Sequence, residues 1–330
     1  MVARRHDEID KKDVVRVGAI DTETKAYLSN PEHFCDVFNF WLYQGRQVIR
    51  ADDLKELDTA VIALPYGVDA KEPIQKFRDV LKLYAAMRDK RAIYLMLGIE
   101  AQTETHYAMP VRNMLYDAMS YTKQIAEAAL SYRKREERLP KAEYLSGFRK
   151  EYRLMPVITL TISFSPEPWD GPASLHEMLT IDDKEILRYV ADYKLNLLTP
   201  YDIADEDFDK FRSEFGAVMQ CVKHRRDDDM KWMEGKERFR GITRDTASLI
   251  KTVTGFDLDL DKEGDVVNMM NAWENGLNKA RNDARAEGRD ECRRDMMTAI
   301  RMIKENKPAD VIREQTGLSE QNLTELRSML

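Results

Sequence analysis

Two apolar runs, "VLKLYAA" (80–86) and "AIYLMLGI" (92–99), flank the polar "MRDKR" and constrain the fold more than any other feature of the chain. Runs of this length bounded by polar residues, rich in aliphatic and aromatic side chains, are strands of a half-buried or buried sheet. Their separation predicts a hairpin. With the turn at Asp89-Lys90, Val80 opposes Ile99, Leu83 opposes Met96, Tyr84 opposes Leu95, and Asp79 opposes Glu100. Opposed residues share a face with Cβ atoms roughly 4.5–5.5 Å apart, where like charges repel. Something must offset that repulsion.

The same runs are the longest apolar segments, far too short to span a bilayer, and "MVARRHDEIDKKDVV" has no signal-peptide core. The expectation is a cytoplasmic protein with no membrane partner. Cys35, Cys221 and Cys292 are widely spaced with no CxxC pattern, which predicts reduced thiols and gives no support to a zinc site. A net charge of −7 does not by itself recruit a polyanion, since such affinity rests on Lys and Arg releasing counterions. Three local patches are basic: "YRKREER" (132–138), "FRKEYR" (148–153) and "KHRR" (223–226).

Along the chain, Asn30-Pro31 reads as a helix cap and first position, followed by a stripe of Phe34, Val37, Phe38, Trp41 and Leu42 and a stop at Gly45. "DTAVIALP" (58–65) reads as a strand. A long helix is predicted beyond Pro110, with Val111, Met114, Leu115, Met119, Ile125 and Ala129 on its apolar side. "LMPVITLTISF" (154–164) and "YKLNLLT" (193–199) read as further strands, and helices dominate from Asp205. The expected division is a core over 1–204, a helical segment over 205–267 packing on or extending it, and a charged helical arm over 268–330. Gly276 and Gly288 are expected to interrupt the arm, which ends in two short helices joined at Thr316-Gly317 with Ser319 as cap.

Glu100 and Gln102 are two apart on a strand and share a face, which the hairpin register extends to Asp79. Two carboxylates and a carboxamide oxygen are hard donors suited to Mg²⁺ or Mn²⁺. A divalent cation there would offset the repulsion and assist phosphodiester hydrolysis.

An acid on one strand, E-x-K or E-x-Q on the next, and then a helix is the pattern of the PD-(D/E)XK nuclease superfamily. The wording "QKFRDVLK", "YLMLGIEAQTETHYAMPVRNMLYDAMSYTKQI" and "PVITLTISFSPEPWDGPASLHEML" resembles its recombination-promoting nuclease (Rpn) and transposase-related group of bacteria, from about Asp21 to Asp202. The resemblance implies an α/β, restriction-endonuclease-like core, a small mixed sheet flanked by helices, with a helical C-terminal extension. It implies Asp79 and Glu100 as metal ligands and catalytic acids, with Gln102 at the position where better-known members hold lysine. Glutamine can only hydrogen-bond there, which opens the alternative of a slow or silent enzyme. The family's first-helix acid corresponds to Asp36, with Asp21 and Glu23 as alternatives. Arg112 and Tyr116 match the Q-x-x-x-Y of related nucleases and would touch phosphate, joined by His106.

Three functions follow: a Mg²⁺-dependent DNA endonuclease linked to recombination or a mobile element; a nucleic-acid-binding or regulatory protein keeping the nuclease fold without turnover; and an assembly protein whose arm forms a homodimer, with Met297, Ile300 and Ile303 in contact. The terminal helix pair resembles a helix-turn-helix in length but has no basic recognition face.

Overall fold

The computed structural model describes residues 22–57, 83–99, 107–134, 140–227, 229–261 and 264–329. Its first named helix, α1 (Pro31–Tyr43), forms as the sequence dictates. The Asn30 side chain accepts from the Glu32 N–H at 2.9 Å, Pro31 fills the first position, and the chain leaves through left-handed Gln44 and Gly45. The strand expected at 58–65 lies outside the described residues.

The remaining named elements are β1 (Lys55–Glu56), β2 (Leu83–Arg88), β3 (Ile93–Ile99), α2 (Met109–Lys134), α3 (Lys141–Ser146), β4 (Val157–Ser163), α4 (Lys184–Leu187), β5 (Leu197–Leu198), α5 (Phe215–Lys223), β6 (Ile242–Thr243), α6 (Arg244–Thr254), β7 (Val266–Val267), α7 (Met269–Lys304), α8 (Ala309–Thr316) and α9 (Glu320–Met329). The main sheet has the order β1-β2-β3-β4-β5. It is mixed, with antiparallel pairs β1/β2 and β2/β3 and parallel pairs β3/β4 and β4/β5. The protein is thus of the α/β class, built on a small mixed sheet with helices on both faces.

The hairpin forms, in a different register. Leu95 pairs with Ala86, not Tyr84, and Met96 with Ala85, not Leu83. The cause is Asp89. Its carboxylate accepts from the N–H groups of Arg91 (2.7 Å) and Ala92 (3.0 Å), and its own N–H donates to the Ala92 carbonyl at 3.2 Å. Asp89 therefore sits at the base of the turn, whose tip is Lys90-Arg91. Hydrogen bonds from the Arg91 and Ala92 backbone outweigh the burial of this side chain and hold its carboxyl below the usual range. From Ala85 to Arg88 the two-residue slip keeps each side chain on its expected face. A second irregularity, between Leu83 and Ala85, shifts the register by one residue to Leu83 opposite Leu97, so the parity of the expected Leu83–Met96 pairing is lost at that end of the hairpin. The expected Asp79–Glu100 pair lies outside the described residues.

Side chains alternate across the sheet as the strand period requires. Ala85, Met87, Tyr94, Met96, Leu160, Ile162 and Leu198 face the larger core, built with Phe34, Val37 and Phe38 of α1 and apolar residues of α5, α6 and the start of α7. Segment 205–267 contributes Phe208, Phe211, Phe215 and Val253 to this same cluster. Ala86, Ile93, Leu95 and Val157 face the other way, against Met109 and Tyr116 of α2.

Helix α2 meets the sheet through Met109, Tyr116 and Met119 and through a polar ladder to β4, while the amino-terminal members of its expected apolar stripe stay outside. Val111 (39%), Met114 (36%) and Leu115 (39%) are exposed. Asn113 Nδ2 donates to Thr161 Oγ1 at 2.9 Å, and Thr159 Oγ1 donates to Asp117 Oδ1 at 2.5 Å. Next, the Val157 N–H donates to the Tyr121 hydroxyl at 3.1 Å, and Gln124 bonds both backbone groups of Met155 at 2.7 and 3.0 Å. The first three rungs step four residues up the helix, about 6 Å, and two down the strand, about 6.6 Å. The two periods are nearly commensurate, so an antiparallel helix and strand stay in step over four rungs. Of the expected stripe Met119 packs on the sheet-side cluster, whereas Val111, Met114 and Leu115 do not, because the groups facing β4 beside them are polar.

The arm also departs from expectation: α7 is one continuous helix of 36 residues. A Cβ at Gly276 would lie 1.7 Å from the Asp257 carbonyl oxygen, so glycine there permits close approach between helix and loop and does not end the helix. Gly288 has nothing within 4 Å. The terminal pair forms as read, with Gly317 at φ +65° and the Ser319 hydroxyl accepting from the Asn322 N–H at 3.2 Å. Ala299, Met302, Ile312 and Leu323 form a small separate core, with Ile303 packed against it. Among the described residues no helix is long and apolar enough to cross a membrane.

Candidate functional site

Parallel strands β3 and β4 end side by side, Ile99 beside Ser163, and antiparallel β2 begins there with Leu83 beside Leu97. Ligands of open α/β sheets bind at the carboxyl ends of parallel strands. In sequence, Ile99 is followed directly by Glu100 and then Gln102, and Asp79 precedes Leu83 by four residues. Asp79, Glu100, Gln102 and His106 lie outside the described residues. Among the described residues no group of three or more His, Cys, Asp or Glu side chains could hold a metal ion.

Helix α2 starts at this end of the sheet, since Asn113 near its amino terminus is bonded to Thr161, two residues before the end of β4. Two buried polar atoms here have no hydrogen-bond partner, Arg112 Nε and Asn113 Oδ1. Burial holds the Arg112 guanidinium below its ordinary value, against the opposing effect of Tyr116. Arg112 Nη1 has a contact to Met109 Sδ at 3.5 Å. Arg112 is half-buried, and its Nε is enclosed by protein without a hydrogen-bond partner. Tyr116, expected to touch phosphate beside it, is 1% exposed and packs with Leu95 and Val157. Burial pushes its hydroxyl up to about 12, despite the nearby Arg112 charge. Its ring serves the fold, leaving Arg112 as the accessible member of the pair.

Asp36, read as a first-helix metal ligand, is put to another use. It is 2% exposed, and its carboxylate accepts from the Arg212 N–H (3.0 Å to each oxygen), the Ser213 N–H (2.8 Å) and the Ser213 hydroxyl (2.6 Å). The side chain anchors the turn that leads into α5. Glu23, its sequence alternative, lines a separate cavity of about 750 Å³ with Tyr27, Glu32, Glu214 and Asp245.

The basic patches divide into two kinds. In "KHRR", Lys223 pairs with Asp205 at 2.9 Å, His224 lies between Asp205 and Asp227, and Arg226 pairs with Glu167 at the surface, so these side chains are engaged by acids of the same chain. Hydrogen bonds and charge from Lys223 and His224 overcome the burial of Asp205 and hold its carboxyl at about 2. By contrast, the Arg149 guanidinium lies 4.5 Å over the Tyr132 ring, joining the described start of "YRKREER" to "FRKEYR". Lys150 and Arg153 are exposed beside Tyr152 (38%) and near Tyr144 (63%). Sequence inspection gave the three patches equal weight, because the partners of the third come from residues 167 and 205.

No protein-family model, no curated protein and no solved structure matches the chain.

Proposed function

We propose that the chain is a divalent-metal-dependent DNA endonuclease with a restriction-endonuclease-like core. The observation that carries this reading is the order of elements around the sheet end. A hairpin runs in sequence into Glu100-x-Gln102, the chain then enters α2, and it returns as β4 parallel to β3. An acid before the first strand and an acid after the second would then lie toward the same end of the sheet. Asp79, Glu100 and Gln102 are the hard oxygen donors that would hold Mg²⁺ or Mn²⁺, which when bound acts as a Lewis acid beside the phosphodiester. The half-buried Arg112 guanidinium would supply positive charge toward a phosphate at this end of the sheet, and the Lys150/Arg153 surface with its exposed tyrosines would follow the backbone and bases of a nucleic acid.

Nicking of supercoiled plasmid DNA with Mg²⁺ or Mn²⁺ tests this. Wild type should nick, Asp79→Ala and Glu100→Ala should lose at least a hundredfold, and Arg112→Ala should lose activity without losing the fold. Equal nicking by wild type and both acid variants would end the proposal.

Gln102 favours a second reading, binding without turnover, because glutamine brings no positive charge to the reacting phosphate. In that case DNA binding would weaken steeply with salt while no divalent ion gave cleavage. Gln102→Lys separates the readings, since gain of nicking would place a hydrolytic site there.

A further inference from the structure

Residues 278–294 of α7 are exposed on every side, lying between the part of the helix that packs on the main core and the part that joins the terminal core. A solvent-bridging helix is ordinarily stabilised by opposite charges four residues apart. This one has the reverse pattern. Arg281, Arg285, Arg289 and Arg293 form one row at four-residue spacing, and Asp283, Glu287, Glu291 and Asp295 form another. Like charges four apart on a helix destabilise it. Opposite signs at that spacing occur only at Lys279/Asp283 and Asp290/Arg294. No ion pair joins any two residues of 281–295, the nearest being Lys279 with Asp261 at 3.8 Å.

Segregated rows of opposite sign suit a partner surface. Between them, beyond Ala280, which lines a cleft against residues 257–261, runs a row of small residues, Ala284, Gly288 and Cys292. Each of the three has an acid immediately before it and an arginine immediately after it, about 100° to either side, and since a four-residue step turns the helix by about 40° all three stay within about 40° of the Gly288 direction. When two such helices meet small row to small row and run parallel, the two-fold axis brings each acid row against the partner's arginine row. Run antiparallel, they would bring arginine against arginine and acid against acid. Charges flanking a helix seam set orientation in this way.

We propose that two copies of this chain associate in parallel through the exposed middle of α7, small row against small row, held by arginine-to-acid contacts on both flanks. This surface differs from the one the apolar residues Met297, Ile300 and Ile303 would suggest, and it does not depend on the nuclease reading.

The test is sedimentation velocity on the full-length protein. Wild type should be a dimer at about 0.05 M salt, and its dissociation should rise at least tenfold near 1 M, where surface charges are screened. Arg285→Glu/Arg289→Glu and Glu287→Arg/Glu291→Arg should each be monomeric alone, and an equal mixture of the two should restore the dimer. For orientation, Ala284→Cys and Gly288→Cys are each made with Cys292→Ser. Both should form disulfide-linked dimers on mild oxidation, since a parallel pair sets each position opposite its own copy, whereas an antiparallel pair allows at most one. A monomeric wild type, dimers that survive either charge reversal, or coupling at only one position would overturn the proposal. These substitutions fall on exposed positions, and circular dichroism verifies that helix content is retained.

Discussion

Replacing Asp36 with alanine separates an anchor from a metal ligand. The carboxylate takes three donors, the N–H groups of Arg212 and Ser213 and the Ser213 hydroxyl, in a setting where Asp36 itself is 2% exposed. Each donor left without a partner costs about 1–3 kcal/mol when buried. Arg212 is exposed and Ser213 only half-buried, so water recovers part of that loss. The expected destabilisation is about 3–5 kcal/mol, a large share of the roughly 5–15 kcal/mol typical of a folded domain. Asp36→Asn keeps one acceptor oxygen but turns an NH₂ toward donors, so it should recover less than half of the loss. Urea unfolding followed by circular dichroism, with EDTA and separately with Mn²⁺, measures both. The reasoning is refuted if the alanine variant matches wild type in EDTA and falls behind only when Mn²⁺ is present, because the carboxylate would then act through a cation.

Other outcomes follow from the same geometry. Gly276→Ala should destabilise by about 1–3 kcal/mol from overpacking against Asp257, even though alanine is the better helix former, and a denaturant midpoint at or above wild type would contradict this. Burial raises the Asp117 carboxyl, and hydrogen bonds from Thr159 and Tyr193 (2.8 Å) act against that rise. The folded state therefore disfavours the ionised form, and Asp117→Asn should equal or exceed wild-type stability at pH 7 while Asp117→Ala falls below both. Asp205 has the opposite sign: depressed to about 2 from 3.8, it contributes stability above about pH 4 that disappears as pH falls through 2. The stability gap between wild type and Asp205→Asn should accordingly close over that interval in acid titrations of unfolding. Thr161→Val should weaken the packing of α2 through loss of the Asn113 rung, detectable as faster amide exchange at the amino-terminal end of that helix.

Local chemistry made several elements legible before any coordinates. Asn30-Pro31 begins α1 because a carboxamide can accept from the helix's first free N–H groups and proline needs no donor there. Gly317 and Ser319 define the terminal turn for similarly local reasons. The strands of the hairpin announced themselves through apolar runs of strand length. Register did not, because Asp89 can occupy either the tip or the base of a turn, and its bonds to Arg91 and Ala92 decide between them.

What the sequence determined by itself was whatever depends on neighbours within about four residues: caps, strand alternation, the presence of a long helix after Pro110, and the row pattern along α7. Tertiary structure decided which face of α2 meets the sheet, since polar partners on β4 recruited Asn113 and Asp117 while Val111 and Leu115 stayed outside. It also turned Asp36 into an anchor for residues 176 positions away, and made Gly276 a contact instead of a break. The physical reason is common to all three. Hydrogen-bond partners and steric limits supplied by distant parts of the chain outweigh the few tenths of a kcal/mol by which local preference chooses between faces or conformations.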